Sequence, residues 1–198
     1  MSTAGRPREF ETEDVLDAAL ELFWTQGFRS TTTRSLESAV GITQSSLYNA
    51  FGSKRGLLHA ALDRYESRLT AELLEPLEAS DEGLGSVDSF LEALGTWLRR
   101  GKRGCMLVNM MAEDGGLSPE ITERTRGYRK RVRKALHAAL ERAIASGELE
   151  GSPEGRANML LGVVLGLNIA ARGGAQVAEL RAIVEGTREV VRSWSAEI

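Results

Sequence analysis

The chain has 198 residues, 42% apolar and 27% charged, which suits one sizeable core or two modest domains of an ordinary globular protein. Its formal net charge of −3 excludes a polypeptide that coats nucleic acid generally, but not a local DNA site, because binding depends on where charge sits. The single cysteine, Cys105, excludes an intrachain disulfide framework, and with only His59 and His137 beside it the spacing of a Cys/His zinc site is absent.

No metal and no cofactor is expected. The opening MSTAGRPREF lacks the apolar segment of a secretory signal. The longest apolar run, Ala157 to Ala171, is interrupted by Asn158 and Asn168 and falls short of the roughly 20 residues a bilayer span needs. The expectation is a cytoplasmic protein with no membrane association.

Residues Met1 to Arg8 carry Arg6 and Arg8, either as a plain flexible start or as a basic arm that touches DNA. From Glu11 the pattern turns helical, with Val15, Leu16, Ala19, Leu22 and Phe23 on one face and Thr12 as N-cap. Gly27 ends this helix and Phe28 folds back on it. A threonine of the run Thr31 to Thr33 caps a second helix, Thr33 to Val40, with Leu36 and Ala39 facing inward. Gly41 makes a corner too tight for a side chain, and Ile42 plugs it. Thr43 caps a third helix, about Gln44 to Phe51, pinned by Leu47 and Phe51. Its outward groups, Gln44, Ser45, Ser46, Tyr48 and Asn49, include no charge. Such groups can hydrogen-bond base edges and phosphates without repelling them.

Residues Phe10 to Leu58 resemble the DNA-binding domain of the TetR family of bacterial transcriptional regulators. The resemblance is carried by the helix ending in Gly27-Phe28, by Thr31-Thr32, Leu36, Gly41-Ile42, Leu47-Tyr48, Phe51, Lys54 and Leu57-Leu58. Two positions depart: Glu37 and Val40 stand where the family usually has alanine. The resemblance implies that Thr33, Tyr48 and Lys54 touch backbone phosphates, and that Thr43, Gln44, Ser45 and Asn49 lie nearer the bases. Charge placement agrees. Arg29, Arg34, Lys54 and Arg55 sit at the edges of the helix-turn-helix, while Glu9, Glu11, Glu13, Asp14, Asp17 and Glu21 keep to the first helix. Lys54 at a helix start joins an ammonium to free backbone N–H groups, a ready phosphate site.

The helix opened by Lys54 carries Leu58, Ala61, Leu62, Tyr65, Leu69 and Leu73 as a stripe and is expected to end near Pro76. Ala79 to Ser86 reads as a loop. The expected division is a DNA-binding domain over residues 1–56 and a ligand-binding and dimerisation domain over residues 57–198. Val87, Phe90, Leu91, Leu94 and Leu98 make an amphipathic helix, and Arg99 to Gly104 a break. In the run Cys105 to Met111, apolar nearly all round, Asn109 is the one amide. It reads as core, or as a pocket wall for an apolar molecule oriented by one or two hydrogen bonds. The candidate ligand residues are Tyr65, Trp97, Cys105, Met106, Asn109, Met110 and Tyr128. Some TetR-family members with a similar RGC-x-L-x-N stretch sense electrophiles or oxidants, so the resemblance also implies a sensor thiol at Cys105.

Ser118 and Pro119 open a long helix with the stripe Tyr128, Val132, Leu136, Leu140 and Ile144, closed by Gly147. Ser152-Pro153-Glu154 open the next, in which Gly162 and Gly166 lie one turn apart. Mid-helix glycines cost roughly 1 kcal/mol each against alanine, so a close helix approach is expected there. The last helix runs from Gln176 to Trp194. In the family these two helices form a four-helix bundle with a second subunit. The candidate dimer residues are Gly162, Val163, Gly166, Leu180, Ile183, Val184 and Trp194.

The expected fold is all-α, with about nine helices. The expected protein is a homodimeric regulator that places two recognition helices on a pseudo-palindromic, double-stranded operator. As a repressor it would release DNA when an unknown small-molecule effector binds the C-terminal domain. The alternative is a redox- or electrophile-sensing repressor acting through Cys105. No enzyme is expected: Cys105 has no evident base partner, and no Gly-rich phosphate loop or paired metal-ligand motif occurs.

Overall fold

The computed structural model describes residues 9–101, 103–112 and 118–195. Among them every regular element is a helix. In chain order these are α1 (Glu9–Gln26), α2 (Thr33–Val40), α3 (Gln44–Phe51) and α4 (Lys54–Leu69). The helical run then continues through a π-helical turn, Thr70–Leu74, and a short α segment, Glu75–Ala79. There follow α5 (Leu84–Gly101), α6 (Met106–Ala112), α7 (Pro119–Ala145), α8 (Pro153–Arg172) and α9 (Val177–Arg192). No helix among the described residues is long and apolar enough to cross a membrane.

Two compact units divide at Leu69 and Thr70 rather than between residues 56 and 57. The reason lies in α4, whose Leu57, Leu58, Ala61, Leu62, Tyr65 and Leu69 are all buried, and which packs along α1. It is core to the first unit. The α1 side of that core is Val15, Ala19, Leu20 and Phe23. Leu16 and Leu22, expected inward, are only half-buried. Arg64 fastens the pair, donating to both oxygens of Asp17 at 2.8 and 3.1 Å and reaching Glu13 at 3.1 Å. The Trp24 and Tyr65 rings meet edge to face at 5.2 Å. Helix α1 begins at Glu9, so Thr12 lies inside it and is not its cap. The arm of residues 1–8 lies outside the described residues.

Pro76 does not end the helical run. Proline has no N–H for the α ladder and its ring crowds the carbonyl four residues back. The widened turn Thr70–Leu74 precedes it and absorbs both problems, as π-turns do within α-helices.

The second unit is built on α5, α7, α8 and α9. Buried stripes are Val87, Phe90, Leu91, Leu94 and Leu98 on α5, and Val132, Ala135, Leu136, Ala139, Leu140 and Ala143 on α7. Tyr128 and Ile144, at the ends of the expected α7 stripe, are half-buried. The loop before α5 is pinned rather than loose. Arg142 donates to the carbonyls of Leu77 and Glu82, and Gly83 lies so close to α7 that a Cβ there would sit 2.5 Å from the Ala143 Cα. Arg188 ties α9 to α5 through two hydrogen bonds to Asp88, at 2.7 and 3.0 Å, and a third to Glu92 at 3.2 Å.

The glycines with the tightest surroundings are not those expected. At Gly162 and Gly166 a Cβ would meet nothing within 4 Å, so among the described residues no helix approaches them closely. At Gly104 a Cβ would lie 2.3 Å from the carbonyl oxygen of Asn168, and φ is +71°. At Gly41 the space is open and only the φ of +70° requires glycine, so the corner is fixed by backbone angle and not by crowding. Gly41→Ala is therefore expected to cost about 1–2 kcal/mol. Gly104→Ala adds a backbone clash and should cost roughly 3 kcal/mol or more. Urea denaturation midpoints at constant slope check both, and equal losses would contradict the distinction.

A second expectation concerns acid. Hydrogen bonds from Arg188, partly offset by burial, hold the Asp88 carboxyl below its usual value of 3.8. The folded value is depressed, so the stabilisation is present above the unfolded value and is lost as pH falls through the folded one. Asp88→Asn should lower the denaturation midpoint at pH 7, and its difference from the wild type should shrink as pH falls below 3.8 towards the folded value.

Candidate DNA interface and effector region

The helix-turn-helix is built from two eight-residue helices whose caps do much of the local work. Thr32 and Ser35 form a reciprocal capping box at the start of α2, each side chain accepting the other's backbone N–H at 3.0 Å. Thr43 caps α3 by accepting the N–H of Ser46 at 3.3 Å. Leu36 and Leu47, 1% and 2% exposed, seat both helices on the core. Ala39, expected inward, is exposed. Ser53 caps α4 by accepting the N–H of Gly56 at 3.0 Å. Gly56 is itself required, since a Cβ there would lie 1.9 Å from the Phe51 carbonyl oxygen.

The expected base-reading residues Thr43, Gln44, Ser45 and Asn49 are all exposed on or next to α3, together with Tyr48. Arg34 is exposed on α2. The Thr33 and Tyr48 hydroxyls lie 3.3 Å apart and bridge α2 to α3. The Lys54 ammonium rests 4.5 Å from the centre of the Phe28 ring. Burial there pushes the Lys54 pKa down from 10.5, with Tyr48 acting in the opposite sense. The structure thus gathers all eight sequence-derived residues around α2, α3 and the start of α4. Sequence reasoning missed three partners of this surface. Phe28 was read only as a helix-end contact, Gly56 gave no signal, and Glu37 was read only as a departure from the family pattern. The Glu37 carboxylate accepts the backbone N–H of Gln44.

The candidate ligand residues are more dispersed along the chain. Tyr65 belongs to the first unit and packs against Trp24. Trp97 lines a surface groove of about 350 Å³ with Glu72, Leu73, Glu92 and Arg100. Cys105, Met106, Asn109 and Met110 form a buried patch at α6, which packs on α7 and α8. Tyr128 is half-buried on α7. The Asn109 amide donates to the Arg103 carbonyl at 2.8 Å, while its buried Oδ1 has no hydrogen-bond partner among the described residues. Cys105 is 1% exposed, whereas a thiol that meets oxidants in solution needs access.

Of the candidate dimer residues, Gly162, Gly166 and Ile183 are exposed, and Val163 is half-buried. Trp194 is half-buried with the Arg156 guanidinium 5.3 Å from its ring. Leu180 and Val184 are buried within the chain itself, Val184 against Gly95 of α5. The exposed apolar side chains of α8 and α9 are instead Met159, Ile169, Val177, Ile183 and Val190.

A capped helix-turn-helix with a neutral polar face, followed by an all-helical second unit, defines a DNA-binding transcriptional regulator. Residues 15–61 match the family model of bacterial regulatory proteins of the tetR family, and residues 83–192 that of the tetracyclin repressor-like C-terminal domain. The chain belongs to the TetR family. Among similar proteins, the uncharacterised HTH-type transcriptional regulator YezE of Bacillus subtilis (strain 168) is 33% identical over 74% of this chain and 77% of its own. The HTH-type transcriptional repressor ComR of Escherichia coli (strain K12) is 28% identical over 96% of this chain and 91% of its own. Among solved structures, a cysteine mutant of the TetR-family regulator CifR complexed with 26 bp double-strand operator DNA is 27% identical. It superposes with a TM-score of 0.80 over 96% of this chain and 100% of that one.

The lowered pKa of Lys54 gives a pH prediction. The resemblance implies a phosphate contact for Lys54; the charged form would carry it, and a lowered pKa means that the proton leaves earlier as pH rises. Operator affinity should therefore start to fall at a lower pH than an ordinary lysine would dictate. Lys54→Arg, which stays charged, should remove that part of the profile, as measured by fluorescence anisotropy between pH 7 and 10. A profile unchanged by the substitution would mean that Lys54 makes no contact.

Proposed function

We propose that the protein is a homodimeric repressor that releases a pseudo-palindromic operator when a small molecule binds its second unit. The observation that carries the dimer is the exposed apolar face of α8 and α9. Met159, Ile169, Val177, Ile183 and Val190 stand in solvent beside Gly162 and Gly166, which have open space over them. Mid-helix glycines with open space over them among the described residues fit the close approach of helices from a second copy. Two copies would set two recognition helices at half-sites about 34–36 Å apart or at a multiple of that spacing. Thr33, Arg34, Tyr48 and Lys54 would hold phosphates, and Thr43, Gln44, Ser45 and Asn49 would meet the bases.

The effector reading rests on the α6 patch. A buried amide oxygen without a hydrogen-bond partner is costly, and a ligand that brings a donor to Asn109 removes the cost. Met106 and Met110 supply adaptable apolar contact beside it. Such a ligand favours whichever conformer it binds more tightly, and it needs no other property to lower DNA affinity.

Three readouts test this. The purified protein should have a dimer mass and should footprint two half-sites in DNA flanking its own gene. Ile183→Glu should yield a folded monomer with operator affinity at least about tenfold lower. Cys105→Ser should leave DNA binding intact. If this variant no longer releases the operator on electrophile treatment while the wild type does, the signal enters through the thiol and not through a non-covalent ligand. A monomeric wild type would overturn the dimer reading.

A further inference from the structure

Glu37 is the only acidic residue between Gly27 and Leu58. It forms the second of two rungs that tie α2 to α3. The first rung is the Thr33–Tyr48 hydroxyl pair. Thr33 and Glu37 are one turn apart on α2, and Gln44 and Tyr48 are one turn apart on α3, so both rungs lie on one surface. Gln44 and Tyr48 are exposed there, and Thr33 and Glu37 partly so. The N–H that Glu37 accepts belongs to the first residue of α3, one of the free donors that draw anions to helix starts. A second donor, the N–H of Ser46, is taken by Thr43. The start of α3 is thus largely satisfied from within the protein, and at its first position by a negative charge.

We propose that Glu37 is a positioning and specificity-determining residue, its carboxylate holding the start of the recognition helix in the place a DNA phosphate would take. The proposal rests on α3 being the DNA-reading helix. A phosphate that approaches this end meets a carboxylate instead of an open N–H, and like charges repel. Phosphate contacts add the same affinity on any sequence. Closing one of them leaves a larger share of the binding energy to Gln44, Ser45 and Asn49, which can tell one base from another. The same charge-assisted bond fixes the angle of α3 against α2, which sets where those three side chains point.

The test compares Glu37→Gln and Glu37→Ala with the wild type on an operator duplex and on a random duplex of equal length, across a salt series. Glutamine keeps an oxygen that can accept the Gln44 N–H and removes only the charge. Both variants should bind the random duplex roughly three- to tenfold more tightly at low salt, and the log–log salt slope should steepen by about 0.9, the value of one more phosphate engaged. The ratio of operator to random affinity should fall in both, and further for alanine, which also frees α3. Two results overturn the proposal: random-duplex affinity and slope unchanged in both variants, or equal loss on both duplexes, which marks a purely structural role. A wild type that does not discriminate the operator at all refutes the DNA-reading assignment instead, and that comparison comes before either variant.

Discussion

An eight-residue helix does not hold itself together in water, because nucleation costs more than so few hydrogen bonds return. Both helices of the DNA-reading corner are that short. Everything around them answers this constraint. Thr32 and Ser35 close the start of α2, Thr43 and Glu37 close the start of α3, and Gly41 turns the chain between them with its left-handed backbone. Leu36 and Leu47 then anchor each helix by one fully buried side chain. Such economy leaves nearly all of α3 uncovered, which a reading surface requires and which a longer, better-packed helix would not allow.

The second unit solves a different problem. Its helices are long enough to be stable by packing, and its polar groups are placed to fix their registration. Arg188 clasps Asp88 and Glu92 on α5 from a largely buried position, and Arg142 holds the carbonyls that lead into α5. A bidentate arginine fixes direction as well as distance, which a lysine in its place would not. Breaking the Arg188 clasp by removing one partner would leave a partly buried charge exposed to its full desolvation cost.

The helical nature of the chain, most element boundaries and the exposed polar face of α3 were legible in the sequence. They depend on local signals: a cap residue, a glycine, a 3.6-residue apolar period. Much of what was illegible depends on contacts distant in sequence. Gly83 and Gly104 look like ordinary loop glycines until Ala143 and Asn168 are brought against them. Leu180 and Val184 were assigned outward because an amphipathic stripe does not say which chain covers it, and α5 does so here. Pro76 was read as a stop because a widened turn has no sequence signature of its own. Glu37 was visible as a departure from the family pattern, yet its partner is a backbone N–H, which no side-chain pattern can reveal.

The approach of Gly104 to Asn168 has a mechanical meaning. Two backbones that meet with no side chain between them have almost no slack, since there is no rotamer to turn and no methylene to compress. The entry to α6, beside Cys105, and the C-terminal part of α8 are therefore stiffly joined. Asn168 is buried on one side of α8, while Ile169, its neighbour in sequence, is 47% exposed on another. A displacement of the α6 entry would reach α8 with little loss, because glycine leaves that joint without slack.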